Sequence, residues 1–191
     1  MTEVPRKSAR LHLALIAAVF FGPLLVAAWL YYGGYFAESL GRSNHGALLE
    51  PIVNLGEELP ESPLHELTDA GWVLLYDDAS ACAEACREAL YTTRQSRKML
   101  GREMDRMRRV FLHGSTPPDT VFLAAEHPGL ITIDDASLSG LLDNKRPSEL
   151  PAGGYYLIDP LGNLVLYFRP DIEPSDMVSD IKRLLKLSRI G

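Results

Sequence analysis

Cys82 and Cys86 are the only cysteines of the chain, and they sit four residues apart. They follow a short apolar run, 72–76, that reads as a buried strand. Between strand and cysteines lies Asp77-Asp78-Ala79-Ser80, a turn rich in helix N-cap side chains. A helix is expected from about residue 81 to residue 100, with Gly101 as its stop. Amide groups at a helix N-terminus stabilise a thiolate, so Cys82 should be the more acidic thiol. The stripe Cys82, Cys86, Leu90, Thr93, Arg97, Leu100, Met104, Met107 puts Cys86 towards the packed face and Cys82 at its mouth. On a regular helix, side chains four apart have Cβ atoms about 5–6 Å apart. A disulfide wants about 3.5–4.5 Å. A bond therefore needs Cys82 off the helix, in the loop. Such a bond closes a very short loop, adds little stability and is open to reduction. Two thiolates can instead bridge one soft ion across the wider spacing, and Cu(I) is the ion that suits them. The remaining reading is a pair of buried cysteines packing as small apolar residues.

The elements that hold this pair begin with a membrane segment. Residues 13–30 carry no charge, and the apolar stretch from 11 to 32 is 22 residues long. As a helix it spans about 33 Å, enough for a hydrocarbon core of about 30 Å. Arg6, Lys7 and Arg10 precede it, and no Lys or Arg follows before Arg42. The positive-inside rule then sets residues 1–10 in the cytoplasm and the bulk of the chain across the membrane. For a bacterial protein that is a single-pass inner-membrane protein with a periplasmic domain, where disulfides are permitted. Trp29, Tyr31, Tyr32, Tyr35 and Phe36 form an interfacial aromatic belt, and Gly22-Pro23 is a kink that a membrane helix tolerates. A cleaved signal peptide and a buried helix are the alternatives.

Residues 33–68, with glycines and prolines but no sustained period, read as a stalk that packs partly on the domain, with a short strand near 52–55. Residues 69–191 read as one α/β domain. Strands are expected at 72–76, 110–113 and 130–133, a short helical piece at 103–107, and helices at 120–126 and 135–142. A hairpin of 155–158 and 164–168 turns on Asp159-Pro160-Leu161-Gly162-Asn163, and a final helix starts at Ser175. Strand-helix-strand units closed by a hairpin and a helix give a sandwich around a mixed sheet.

These features together resemble the SCO/SenC family of thioredoxin-fold cytochrome c oxidase assembly factors. The resemblance rests on the anchor, the strand Trp72-Val73-Leu74-Leu75-Tyr76, the motif Cys82-Ala83-Glu84-Ala85-Cys86, and Val110-Phe111-Leu112 with Ser115-Thr116-Pro117 behind it. It also rests on the hairpin Tyr156-Leu157-Ile158-Asp159-Pro160-Leu161-Gly162. A proteobacterial subgroup of short membrane proteins associated with cytochrome oxidase genes is similar as well. The resemblance implies an α/β, thioredoxin-like sandwich with a mixed central sheet, preceded by one N-terminal transmembrane helix. It implies partners in an oxidase subunit or its copper chaperone, and in the lipid bilayer. The family's copper site adds to the two cysteines a histidine just before the hairpin; residues 150–155 here contain none. The proline usual between the family's cysteines is also missing. Gly153-Gly154 falls where thioredoxins place a cis-proline, and small residues there leave room for a partner to reach the cysteines.

The resemblance and the missing histidine favour a dithiol/disulfide factor that requires no cofactor. Cys82 would attack and Cys86 resolve, acting on the cysteines of the oxidase copper site. The alternatives are a Cu(I) chaperone with Cys82, Cys86 and a relocated ligand, His113 at the end of the second strand first, and a non-catalytic membrane-tethered scaffold. His12, His45, His65 and His127, and Met99, Met104 and Met107, are read as ordinary structural residues, with Met104 and Met107 on the core stripe.

The formal charge is −6, and it becomes −8 once Arg6, Lys7, Arg10 and Glu3 are set apart. That, with a site beyond the membrane, argues against a nucleic-acid partner. Against this field stands a basic segment, Arg87, Arg94, Arg97, Lys98, Arg102, Arg106, Arg108 and Arg109, opposed by Glu88, Glu103 and Asp105. It reads as a solvated helix face, or as a docking patch for an acidic partner or lipid headgroups.

Overall fold

The computed structural model describes residues 6–33, 44–69 and 71–188. It divides into two compact units, Met1–Ser43 and Asn44–Gly191. Tyr35 and Phe36 of the expected aromatic belt, and Arg42 beyond it, lie outside the described residues.

The first unit contains helix α1, Arg6–Tyr32, which continues through Pro23. Its stretch Leu11–Tyr32 is long and apolar enough to cross a membrane. Leu13, Ile16, Phe20 and Leu24 are exposed along it, as fits a segment whose apolar surroundings are lipid.

The second unit is built on a six-stranded sheet in the order β1-β6-β5-β2-β3-β4. The strands are β1 (Ala47–Asn54), β2 (Trp72–Asp78), β3 (Met107–His113), β4 (Leu130–Asp134), β5 (Tyr155–Ile158) and β6 (Asn163–Phe168). β2, β3 and β4 run parallel, while β5, β6 and β1 add on antiparallel, so the sheet is mixed as expected. β2 lies at its centre, and Val73, Leu74 and Leu75 are wholly buried because both faces are covered. One face packs Leu74, Phe111, Leu157 and Phe168 under α4 (Glu84–Met99) and α7 (Pro174–Leu187), which supply Leu90, Met177 and Ile181. The other face packs Val73, Leu75, Val110 and Ile158 under α6 (Ala136–Lys145), through Leu138 and Leu142. Asp119 and Asp135 cap α5 (Thr120–Glu126) and α6, each accepting two amide hydrogen bonds.

Residues 44–69, read as the part of a stalk that packs on the domain, fold within the second unit. The strand expected near 52–55 is the end of a longer one, β1, which starts at Ala47, stops at Asn54 and joins the sheet edge against β6. Leu55 leaves it for α2, Leu55–Glu58, and α3, Leu64–Thr68, follows. Leu49, Val53, Leu55 and Leu64 are buried in the core. Two polar ties fix this segment. The buried Asp180 carboxylate accepts hydrogen bonds from the His45 and Gly46 amides at 2.7 and 2.9 Å. The Asn54 amide nitrogen donates to the Leu161 carbonyl and to Asn163 Oδ1 in the hairpin turn.

The expected helical piece at 103–107 is a 3-10 segment, Gly101–Arg106. Its tighter winding breaks the stripe continued from α4, so Met107 is buried in β3 while Met104 is exposed.

Candidate redox site

Cys82 and Cys86 form a disulfide, with an S–S distance of 1.96 Å and Cα atoms 5.1 Å apart. The bond exists because the helix starts late. α4 begins at Glu84, and its N-cap Ala83 is extended, at φ −89° and ψ −163°. Cys82 therefore sits in the loop, off the helical repeat. The expected helix start at residue 81 is wrong for a local reason. Asp78 captures the Ser80 amide and hydroxyl at 2.9 and 2.6 Å, and this Asx turn holds the loop open up to Ala83. Gly114, just past β3, permits the loop's path, since a Cβ there would collide with the Ala79 carbonyl.

The two sulfurs differ in environment as the stripe predicted. Cys86 is 1% exposed and packs in the core cluster with Leu90 and Phe111. Cys82 is half-buried and lines an open cavity of about 630 Å³ with Ala83, Glu84, Arg87 and Glu88. Of the two sulfurs, that of Cys82 is the one open to the surface. The Arg87 guanidinium lies 4.6 Å over the Phe122 ring, which keeps a cation at this mouth. Its place beside Cys86 in sequence was the one available signal for it.

A second cleft of about 540 Å³ runs along the same flank of α4, lined by Ala85, Glu88, Tyr76, Gly153, Tyr155 and Pro174 among others. Burial pushes the Tyr155 phenol up to about 12. Burial, and the neighbouring Asp78 carboxylate that its hydroxyl contacts at 3.2 Å, raise Tyr76 as well. Both stay protonated donors. The two glycines of the expected cis-proline position divide their roles. Gly153, at φ +81°, has open space where a Cβ would stand. Gly154 has none, because its backbone lies against β6.

His113 ends β3 in register with Asp78 and Asp134. Its Nδ1 is 2.7 Å from the Gly114 carbonyl. Among the described residues, no three His, Cys, Asp or Glu side chains gather so as to hold a metal ion. A disulfide offers no thiolate, and 150–155 offers no imidazole. The residues in this oxidised arrangement do not fit a resident copper ion.

Asp77, next to the cysteine loop but on the opposite face, accepts the one Ser139 hydroxyl proton, shared between its two oxygens at 3.1 and 3.0 Å. Burial first, then Asp78 and Asp143, raise its carboxyl above the usual range, against the lowering effect of Ser139. The folded state thus binds more protons than the unfolded one between pH 3.8 and the raised value, and stability falls as pH rises through that window. Asp77→Asn keeps the acceptor and removes the charge. Its melting temperature should exceed wild type at pH 7, and the difference should shrink as pH falls through that window and vanish well below pH 3.8 in a thermal-melt series.

Half of the eight basic side chains in the segment are committed internally. Arg94 pairs with Glu126, Arg97 donates to the Met107 carbonyl, and Arg106 donates to the Leu185 and Ser188 carbonyls. Arg109 is buried. The reading of a solvated face holds only for Arg87, Lys98 and Arg102, which are exposed.

The sheet order, the disulfide at the head of α4 and the closing hairpin define a thioredoxin-like domain. The family model of transmembrane-like, thioredoxin-like C-terminal domains matches residues 72–188, and the chain belongs to that family. Solved structures share the fold. Apo Sco1 from Thermus thermophilus is 17% identical over 74% of this chain and 96% of its own, with a TM-score of 0.53. Copper-bound yeast Sco1 is 16% identical over 65% of this chain and 81% of its own, at 0.52. Copper-bound Arabidopsis thaliana ScoI is 15% identical over 65% and 89%, at 0.50. No curated protein matches the chain.

Proposed function

We propose that this protein is a membrane-anchored thiol–disulfide factor for cytochrome c oxidase biogenesis. It would act from the periplasmic side of the inner membrane on the paired cysteines that hold oxidase copper. The observation that carries the reading is the asymmetric disulfide: Cys82 reaches an open cavity and Cys86 is sealed beneath it. The solved structures of like fold are named for Sco proteins, some with copper bound, and these names supply the setting.

In the reduced protein, the Cys82 thiolate attacks a partner disulfide and expels one partner thiolate. Cys86, as thiolate, then attacks the Cys82 sulfur and expels the second. Two electrons pass to the partner, two protons end on its thiols, and Cys82–Cys86 is left oxidised. A dithiol donor must reduce it for another cycle.

A Cu(I) chaperone using Cys82, Cys86 and His113 is the rival. It requires opening the disulfide and turning His113 from Gly114. The test is a redox titration of the full chain in detergent, beside Cu(I) titration against a competing chelator. A bond that equilibrates with glutathione buffers is the expected result. Tight one-to-one copper binding lost in His113→Ala would overturn the redox reading. Intact oxidase assembly in cells carrying Cys82→Ser with Cys86→Ser would leave only a scaffold.

A further inference from the structure

The corner where α4, α5 and β3 meet carries an arrangement that the redox chemistry does not use. Arg109 projects from β3 on the same face as Met107 and Phe111 and is 3% exposed. Its Nη2 donates to the Pro128 carbonyl at 3.0 Å, while Nη1 is shielded from solvent and has no acceptor in the protein. His127, at the end of α5, is also 3% exposed, with its ring edge-on to Phe122 and its Nδ1 without a partner. Arg94, on α4, donates through Nη1 to the Glu126 carbonyl and carboxylate, while its Nε is buried and without a partner.

Three buried nitrogens from three elements thus lack a partner within one corner. More than nine in ten buried polar groups in folded proteins have one, so the concentration asks for a cause. The electrostatics agree. Burial and the nearby Arg97 and Arg94 push the Arg109 guanidinium down to about 10. Burial, then Arg94 and Arg109, lower His127. Arg97 is occupied by the Met107 carbonyl and by Asp105, so Glu126 is the carboxylate left to balance Arg94 and Arg109.

We propose that this corner binds a small inorganic oxyanion of the phosphate or sulfate class, held by Arg94, Arg109 and His127. A neutral water could meet one or two of the nitrogens but would leave the cations repelling each other. An oxyanion meets both needs, and the planar guanidinium fork matches its oxygens. His127 is a donor in the tautomer that carries its proton on Nδ1. Arg109 and His127 are each 3% exposed, which leaves a macromolecular carboxylate or a lipid headgroup no surface to reach them by. A cavity of about 220 Å³, lined by Thr120, His127, Pro128, Gly129 and Thr132 with the apolar Leu123, Ala124 and Leu130, reaches the His127 side of this corner but neither arginine.

The test is thermal melting of the full chain in nonionic detergent, with phosphate, sulfate or chloride varied at constant ionic strength. The melting temperature should climb with phosphate as a bound ligand requires, and more than with chloride. In Arg109→Met the climb should disappear. In His127→Phe the phosphate affinity, read by calorimetry, should fall about tenfold or more. If Arg109→Met does not fold, Arg94→Gln carries the same expected loss. Superimposable phosphate and chloride series would overturn the proposal, and so would a phosphate response that survives in the arginine variant.

Discussion

Cys86→Ser, reduced and offered a disulfide partner, is expected to accumulate a covalent adduct through Cys82 that resolves only on adding an external thiol. The expectation follows from the depths of the two sulfurs. Cys82 lines the cavity and can take part in an intermolecular bond without disturbing the core. Cys86 sits against Leu90 and Phe111 and can reach only Cys82. The exchange therefore has an order built into it, and removing the second sulfur stops it halfway. The reciprocal Cys82→Ser should form no adduct, because Cys86 is 1% exposed. Non-reducing electrophoresis with mass analysis of the adduct distinguishes the two. An adduct on Cys86 in Cys82→Ser, as abundant as that on Cys82, would remove the basis for assigning the roles. Since serine fits either site at nearly the same size, the fold should survive both changes.

Gly154→Ala is expected to destabilise the domain by about 1–3 kcal/mol, the usual effect of forcing an extra methyl into a closed space. The added Cβ would sit inside contact distance of the Phe168 carbonyl and close to Tyr167 Oη. Neither can move cheaply. Phe168 is buried in β6, paired across to Tyr155, and Tyr167 Oη accepts from the Gly154 amide at 3.0 Å and donates to the Pro151 carbonyl at 2.5 Å. Gly153→Ala meets no neighbour and serves as a control for crowding, although φ of +81° strains any side chain there. Denaturant unfolding should therefore rank Gly154→Ala as the more damaging of the two. Equal losses would mean that the backbone angle, not the close approach, governs this turn.

Periodicity made most of the core legible. The apolar runs at 72–76 and 155–158 fall within strands, and Leu90 and Leu100 lie on the stripe read from Cys82. What stayed hidden depended on partners far away in sequence or on local polar competition. β1 has Glu50 and Pro51 at its middle and alternates poorly; its pairing with β6 and its tie to Asp180, 134 and 135 residues distant, hold it in place. An edge strand accepts such a proline because one side of it needs no donor. The start of α4 was misread because Asp78 spends its carboxylate on Ser80, and nothing in the spacing favours that turn over a helix cap. The cysteine pair was visible as a pair and its depth order followed from the stripe. That it closes at all depended on a loop conformation no pattern encodes. The clustering of Arg94, Arg109 and His127 was likewise invisible, since the segment reads as an ordinary charged helix face.

The Asp180 contact also marks where the folding unit ends. The family match begins at residue 72, but a fragment cut there would strip β1 from β6 and take away both amides that the Asp180 carboxylate holds. It would expose a long raw sheet edge and leave a buried carboxylate with nothing to accept from, the conditions under which excised domains stick to one another. In this protein the residues that lead into the family's domain from Asn44 are therefore less a tether than a clasp, and the compact unit begins near Asn44, not at Trp72.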